Sequence, residues 1–548
     1  MIRPLRPLRW LPLLLLGVQG CDRSAENVGA AGAVPDGGPA AQPAPSPEPT
    51  PPEDLASLDA PPFARVEGER GLRKREAAAL QGYTLIAPLR SQSIYLVDMD
   101  GKTVHTWETG HLPGGVTRFL PNGHLLRSAN LEGNPRFHGG GIGGRIEELD
   151  WGGKVVWHYD LTGDERTLHH DFTTMPNGNL LAIAWEYHPP EEIFERGRAQ
   201  NQVHDEGLWC DVVVEIARQE PTGGKIVWTW RSCDHLVQDQ REKGRDFGVI
   251  AEMPGRIDIN ADHRFDAPET EAERKSREER EAMMHGLGYG GGQADGAGGG
   301  DVAAVDAPAP APASPPVKPP DKYNADWLHT NGIDYLPEQD LIVLSSPHLS
   351  EIWVIDHGTT TAEAATSKGG RRGRGGDLLW RWGNPRNYGA GDDDSRTLFA
   401  QHNPTWVRGA EPDRLSLLVF DNGDSRPGGE HSAVLELTLP FDPARGFLRD
   451  EGWPFGPAEP SWSYKDPERF FSPFISGAER LANGNTLICE GARGRIFEVT
   501  AAGLIVWDFY SPFGGELAPS KQGGRAPSKA LFRATRIPAD HPGLVGRF

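Results

Sequence analysis

Three histidines stand in unlike phrases at comparable places along the chain: His170 in LHHDFTT, His329 in DWLHTNG and His402 in QHNPTW. A shared turn phrase aligns them. His170 lies seven residues before Asn177 of MPNGNLL, Ser476 lies seven before Asn483 of LANGNTLI, and the equivalent place before Leu336-Pro337 is Asn331. His329 precedes Asn331 by two residues, so on an extended strand the two share a face. His402 opens the next segment at a similar depth before the strand Leu415 to Phe420. Imidazoles converging from separate segments suit three tasks: holding a metal, binding an anion when protonated, or attacking an electrophile as the neutral base. A metal would want three or four ligands with a carboxylate or cysteine close by. Asp171, the nearest carboxylate, points to the opposite strand face from His170, which disfavours a metal. The plain alternative for each histidine is a satisfied polar residue in the wall of the fold.

Such residues need a scaffold of short repeated strands. A phrase of one small residue, several apolar or β-branched residues and two aromatic or near-aromatic positions recurs six times: GKTVHTW from Gly101, GKVVWHY from Gly153, GKIVWTW from Gly224, GDLLWRW from Gly376, PSWSY from Pro460 and GLIVWDF from Gly503. With one insertion set aside, spacings of roughly 45 to 80 residues are what radial repetition of small antiparallel sheets leaves in a chain. Several copies follow a turn phrase, LPNGHLL, MPNGNLL, LPEQDLIVL or LANGNTLI. Asn-Gly between apolar runs marks a hairpin, because both residues tolerate the positive φ of a type I′ turn. The expected fold is all-β, a six-bladed β-propeller with a long disordered insertion. The indoles of the Trp phrases are expected to pack between its sheets.

Residues 1–20 carry Arg3, Arg6 and Arg9, then an apolar run from Leu11 to Val18, and fit an export signal. Val18-Gln19-Gly20-Cys21 is similar to a bacterial lipobox, so cleavage before Cys21 and lipid attachment there are expected. An ordinary signal peptide followed by cysteine is the alternative. Residues 21–62, rich in Ala, Pro and Gly, read as a tether, and residues 63–548 as the folded body. Within that body, residues 261–322 read as an extruded, mostly disordered insertion whose Glu/Arg portion could form a short helix. The protein is thus expected to be exported and lipid-anchored to the bacterial cell envelope, on its periplasmic face or the cell surface. A net charge of −21 argues against a nucleic-acid partner, which demands a clustered positive field. Cys210 and Cys233 bracket a predicted hairpin, so a disulfide is favoured over two buried thiols. Cys489, in NTLICE, reads as a small buried hydrophobe.

The phrases LHHDFTTMPNGNLL, DWLHTNGIDY, SEIWVIDHGTTTAEAA, GDLLWRWGNP, AQHNPTW, FISGAERLANGNTLICEG and GRIFEV resemble the arylsulfate sulfotransferase family. The likeness runs from about residue 80 to about residue 515, apart from the insertion. It implies a six-bladed propeller that moves a sulfuryl group from an aryl sulfate ester to a phenol through a sulfated histidine, without phosphoadenosine phosphosulfate or another cofactor. Matched by motif, His402 would be the nucleophile, His329 and Asn331 would hold sulfate oxygens, and His170 would be a third channel histidine. His169, Ser476 and Arg495 are further candidates for substrate contacts. One departure matters: where family members often carry an arginine after the His-x-Asn motif, this chain has Pro347, leaving His348, Arg493 or Arg495 as possible substitutes. The alternative is a catalytically inactive propeller that binds an anionic or carbohydrate ligand or scaffolds an envelope complex.

Overall fold

The computed structural model describes residues 61–262, 271–287, 325–409, 414–516 and 527–548. The export signal, Cys21, nearly all of the tether, and residues 263–270 and 288–322 of the insertion lie outside them.

Strand-forming runs separated by tight turns fold into antiparallel meanders, because consecutive strands can pair without a crossover. The strand Leu531–Pro538 pairs with Gly82–Pro88, which is followed outward by Ser93–Val97 and Thr103–Glu108. The strand Leu531–Pro538 therefore completes a sheet that strands near residue 82 began, and backbone hydrogen bonds close the folded body. An eight-stranded sheet consists of two four-stranded meanders, residues 113–160 and 166–231, joined by one parallel bridge between Gly115 and His170. Two further four-stranded sheets span residues 332–382 and 402–465. The last meander, residues 477–510, takes Gly71–Arg75 onto its outer edge. The architecture is all-β and propeller-like.

The Trp phrases form the fourth strand of each meander, Thr103–Glu108, Val155–Asp160, Gly224–Arg231, Trp380–Trp382, Trp462–Lys465 and Ile505–Tyr510, the last of them covered in turn by Gly71–Arg75. Their indoles do more than fill space. Trp157 Nε1 donates to Gln219 O and Gly223 O, Trp380 Nε1 to Gly456 O, Trp462 Nε1 to Ala501 O, and Trp507 Nε1 to Met99 O. In each case the acceptor belongs to the outer part of the next sheet around the ring. A buried indole supplies a large apolar surface and one donor that must be satisfied, so the same residue both packs and registers neighbouring sheets. Truncating one to alanine in such a position costs about 3 to 5 kcal/mol.

The expected extruded insertion is ordered in part. Glu271–Gly286 is an α-helix of 16 residues. Arg280, only 7% exposed, pairs with Asp424 at 2.9 Å and Glu430 at 3.0 Å. Met283, Met284 and Leu287 pack on the cluster that contains Phe63, Phe474 and Phe532. A polar, charge-rich segment stays helical here because a short apolar stripe and one buried cation give it tertiary partners. Ala261 and Asp262 are buried as well, so the body extends past the boundary expected at residue 261. Cys210 and Cys233 form a disulfide with Cα atoms 5.9 Å apart, and Cys489 is a buried free thiol.

Candidate functional site

The inner strands do not run regularly at the depth where the three histidines lie. In Arg166–Thr174, residues 169–171 oppose the single residue Ile183. In Pro113–Phe119, residues 114–116 oppose Ser128. In His402–Trp406, Asn403 and Pro404 oppose Val419, and in Leu531–Pro538, Phe532 and Arg533 oppose Ala87. Such bulges re-aim side chains and recur near functional sites. The backbone matches: His170, His329 and Asn403 adopt φ of 50°, 53° and 53°, a left-handed conformation that costs non-glycine residues energy. Glycines make room for His170. A Cβ on Gly115 would lie 1.8 Å from His170 O, and one on Gly141 would lie 2.3 Å from His170 Cδ2.

These distortions gather the imidazoles. The rings of His170 and His329 meet edge-on with centroids 4.5 Å apart, and His348 stacks on His329 at 4.8 Å. His402 is 5% exposed and His170 fully buried. Sequence alternation placed His329 and Asn331 on one face of an extended strand. Instead the strand begins at Gly332, and the left-handed turn at His329 brings its ring to the site.

Hydrogen bonding sets the tautomers. Asn422 Nδ2 donates to Ser472 O at 2.7 Å and Ile475 O at 3.0 Å, so its Oδ1 must face His402 Nδ1, 2.7 Å away. Ala400 O is the other neighbour of that nitrogen, at 3.1 Å. Both partners are acceptors. His402 Nδ1 therefore carries the proton and Nε2 keeps its lone pair. Burial, strengthened by the nearby His329 and Arg533 and opposed by the Asn422 bond, lowers the His402 pKa to about 3. The ring is neutral at ordinary pH.

A second chain of contacts fixes His170. His169 Nε2 faces Asp211 Oδ1 at 3.1 Å, and His169 Nδ1 meets His170 Nδ1 at 2.8 Å. One of the two Nδ1 atoms donates to the other, so this hydrogen bond orients the His170 ring. Burial and the surrounding His329, His169, His402 and Arg533 hold its pKa well below the usual histidine range. His329 differs, because its Nδ1 bonds to the carboxylate of Asp326, whose other oxygen accepts from Trp185 Nε1 at 3.1 Å. Burial opposes ionisation of Asp326, yet the cluster of His329, His348 and His169 holds its pKa at about 2.

Asn331 is fully buried, donates one N–H to Gln401 O at 3.0 Å, and retains a second. The remaining sequence candidates fall elsewhere. His169 is stacked on Trp185 with centroids 4.1 Å apart and spends Nδ1 on His170, so it supports His170. Ser476 spends its hydroxyl on Ser472 Oγ, Phe474 O and Gly491 N, which braces a loop. Arg495 is held by Asp508 and Glu490, and Arg493 by Glu490 and Arg469 O, so neither replaces the arginine missing at Pro347. His348 does reach the cluster: its Nδ1 lies 3.1 Å from both Asp326 O and Trp327 O. Sequence reasoning missed Asp211, Asp326, Asn422 and Arg533. Asp326 had a local signal, three residues before His329 on the same phrase; the others are distant in sequence. A cavity of about 680 Å³ opens below the cluster on the side of the turn phrases, lined by Arg118, Asn403, Arg408, Arg480 and Arg533 among others.

The comparisons with known proteins bear on this arrangement. The family model Arylsulfotransferase (ASST) matches residues 82–437, most of the chain. The chain belongs to the arylsulfotransferase family. Membership supports arylsulfotransferase-type activity and small-molecule aryl sulfate and phenol substrates at family level. His170, His329, Asn331 and His402 all lie within the matched residues, whereas Arg533 lies beyond them. No curated protein matches the sequence. Among solved structures, a protein of unknown function from Bacteroides caccae is similar at 9% identity and a TM-score of 0.38, over 83% of this chain and 99% of that one. The periplasmic gluconolactonase of Pseudomonas aeruginosa is similar at 11% identity and a TM-score of 0.33, over 82% of this chain and 97% of that one. Among the described residues, no helix is long and apolar enough to cross a membrane.

Proposed function

We propose that this chain is a six-bladed propeller enzyme that moves a sulfuryl group from an aryl sulfate ester to a phenol by way of His402. The blade count treats the eight-stranded sheet as two blades, since a single bridge joins its halves. One observation carries the mechanism: two carbonyl acceptors hold the proton of His402 on Nδ1, which leaves a buried, neutral Nε2 available for attack. Nε2 bonds to sulfur while the bond from sulfur to the aryl oxygen breaks, and the leaving phenolate takes a proton from His329. An incoming phenol then returns a proton to His329 as its oxygen attacks sulfur and the N–S bond breaks. His329 suits this exchange better than His170, because its Nδ1 is bonded to the carboxylate of Asp326, whereas burial and the groups around His170 suppress the charged form of that ring. The remaining N–H of Asn331 would hold a sulfuryl oxygen. Two displacements on one histidine predict ping-pong kinetics without phosphoadenosine phosphosulfate.

The test is intact-mass analysis of the purified protein after brief exposure to an aryl sulfate, beside His402→Ala. An adduct of about 80 Da, the mass of SO₃ on a nucleophile, is expected in the wild type alone. Pro347 in place of an arginine favours the second reading, an inactive anion-binding propeller; absence of both adduct and phenol release across several donors would support it and refute transfer. The proposal extends to an exported protein held on the cell envelope by lipid at Cys21. Lipid-modified Cys21 at the mature N-terminus, found by mass spectrometry of the membrane fraction, is the expected result; an unmodified N-terminus would refute it.

A further inference from the structure

We propose that Arg533, on the strand that closes the ring, is the positioning cation of this site and fills the electrostatic place left by Pro347. The residue occupies a bulge at the same depth as those that carry His170 and Asn403, the neighbour of His402. In a regular strand its side chain would follow the alternation of the sheet; the extra residue opposite Ala87 releases it from that alternation. Arg533 Nη1 donates to Asp171 Oδ2 at 2.7 Å, and Nη2 lies 3.3 Å from Asn331 O. The same Asp171 oxygen accepts from Ile333 N at 3.1 Å. The guanidinium thus ties the strand of His170 to the strand that follows His329 and Asn331, through a carboxylate and a carbonyl that a fork of donors can reach together. Three inner strands meet at one side chain.

Its position also accounts for a chemical requirement of the proposed transfer, on which the catalytic part of this inference rests. A nucleophilic imidazole must stay unprotonated, and a fixed cation beside it raises the cost of a second positive charge. The groups that act on His402 are His329, Arg533, Asn422 and Ala400 O, and those that act on His170 are His329, His169, His402 and Arg533. Arg533 is the permanent cation common to both sets. Neither Arg493 nor Arg495 could serve, since both are held by Glu490.

The experiment uses the full chain with isotope-labelled histidine, and follows the ring resonances of His402 and His170 by NMR as pH is lowered, with His402→Gln and His170→Gln for assignment. In the wild type both rings are expected to stay neutral to below pH 5. In Arg533→Gln at least one is expected to titrate roughly one pH unit higher. Asp171 keeps Arg118 at 3.6 Å in that variant, so no buried carboxylate is left alone. Arg533→Lys retains the charge without the fork. Its rings should titrate as in the wild type, while sulfuryl uptake onto His402 slows on the order of tenfold. Identical titration in wild type and Arg533→Gln would overturn the proposal, as would wild-type uptake in Arg533→Lys. The titration decides about Arg533 even if the wild type accepts no sulfuryl group, in which case only the transfer reading fails.

Discussion

Replacing Asn422 by alanine tests the tautomer argument most directly. Asn422 is fully buried and its side chain makes three hydrogen bonds: it accepts from His402 Nδ1 at 2.7 Å and donates to Ser472 O and Ile475 O at 2.7 and 3.0 Å. Two effects separate. Ile475 O loses its donor and Ser472 O keeps only the longer bond from Ser432 Oγ at 3.4 Å; a buried unsatisfied group costs about 1 to 3 kcal/mol, so stability should fall by roughly 1 to 4 kcal/mol. The third bond matters for rate. As Nε2 attacks sulfur, positive charge spreads over the His402 ring, and the bond from Nδ1 to Asn422 changes from a neutral one, worth about 0.5 to 1.5 kcal/mol, to a charge-assisted one, worth about 1.5 to 3. The difference, about 1 to 2 kcal/mol, acts only in the transition state and corresponds to a roughly five- to thirty-fold slower reaction. Ala400 O still accepts from Nδ1 in the variant, so the loss should not be total. Single-turnover formation of the sulfated protein, followed by intact mass over a range of donor concentrations, separates the maximal rate from donor affinity. A folded Asn422→Ala protein with an unchanged maximal rate, or with only weakened donor affinity, would refute the assignment of Nδ1 as the protonated nitrogen.

Other perturbations test the scaffold. At His357, burial alone would lower the pKa, but hydrogen bonds to Asp340 and Glu215 outweigh it and raise it from 6.5 to about 9. A raised folded-state value stabilises the fold fully below pH 6.5 and loses that contribution as pH climbs through about 9; at about 1.4 kcal/mol per unit this is on the order of 3 kcal/mol, and His357→Gln should flatten this segment of a denaturation-against-pH curve. The Cys210–Cys233 disulfide closes a loop with a sequence separation of 23, so the double serine variant should lose about 3 kcal/mol in denaturant titration, and an unchanged midpoint would show that the bond constrains nothing. Arg280→Ala leaves Asp424 and Glu430 without their buried partner and should release the helix Glu271–Gly286, seen as faster proteolytic cleavage there with the melting temperature of the body little changed; resistance equal to the wild type would mean that Met283, Met284 and Leu287 suffice to hold it.

The sequence alone determined the elements whose causes are local. Each Trp phrase became the fourth strand of its meander, because β-branched and aromatic residues between tight turns have one favourable way to bury their surface, and the indole N–H needs an acceptor that the next sheet offers. The three histidines were visible because they break an otherwise repeating pattern. Their chemistry was not visible, since it depends on partners that no spacing announces. Asn422 sets the tautomer of His402 from 20 residues away, His170 is bonded by His169 with Asp211 3.1 Å behind it, and Arg533 arrives from the closing strand, 362 residues from Asp171. Arg495 looked equally available in the sequence and is spent on Asp508 and Glu490. Period-two alternation also failed at the site itself, because bulges at residues 169–171, 403–404 and 532–533 and a left-handed turn at His329 override it. Those irregularities cost energy locally, and a closed ring of sheets can hold them because every inner strand is fixed by neighbours on both sides. Short-range preferences therefore place the sheets, and ring closure alone brings the charges, acceptors and strained residues of the site together.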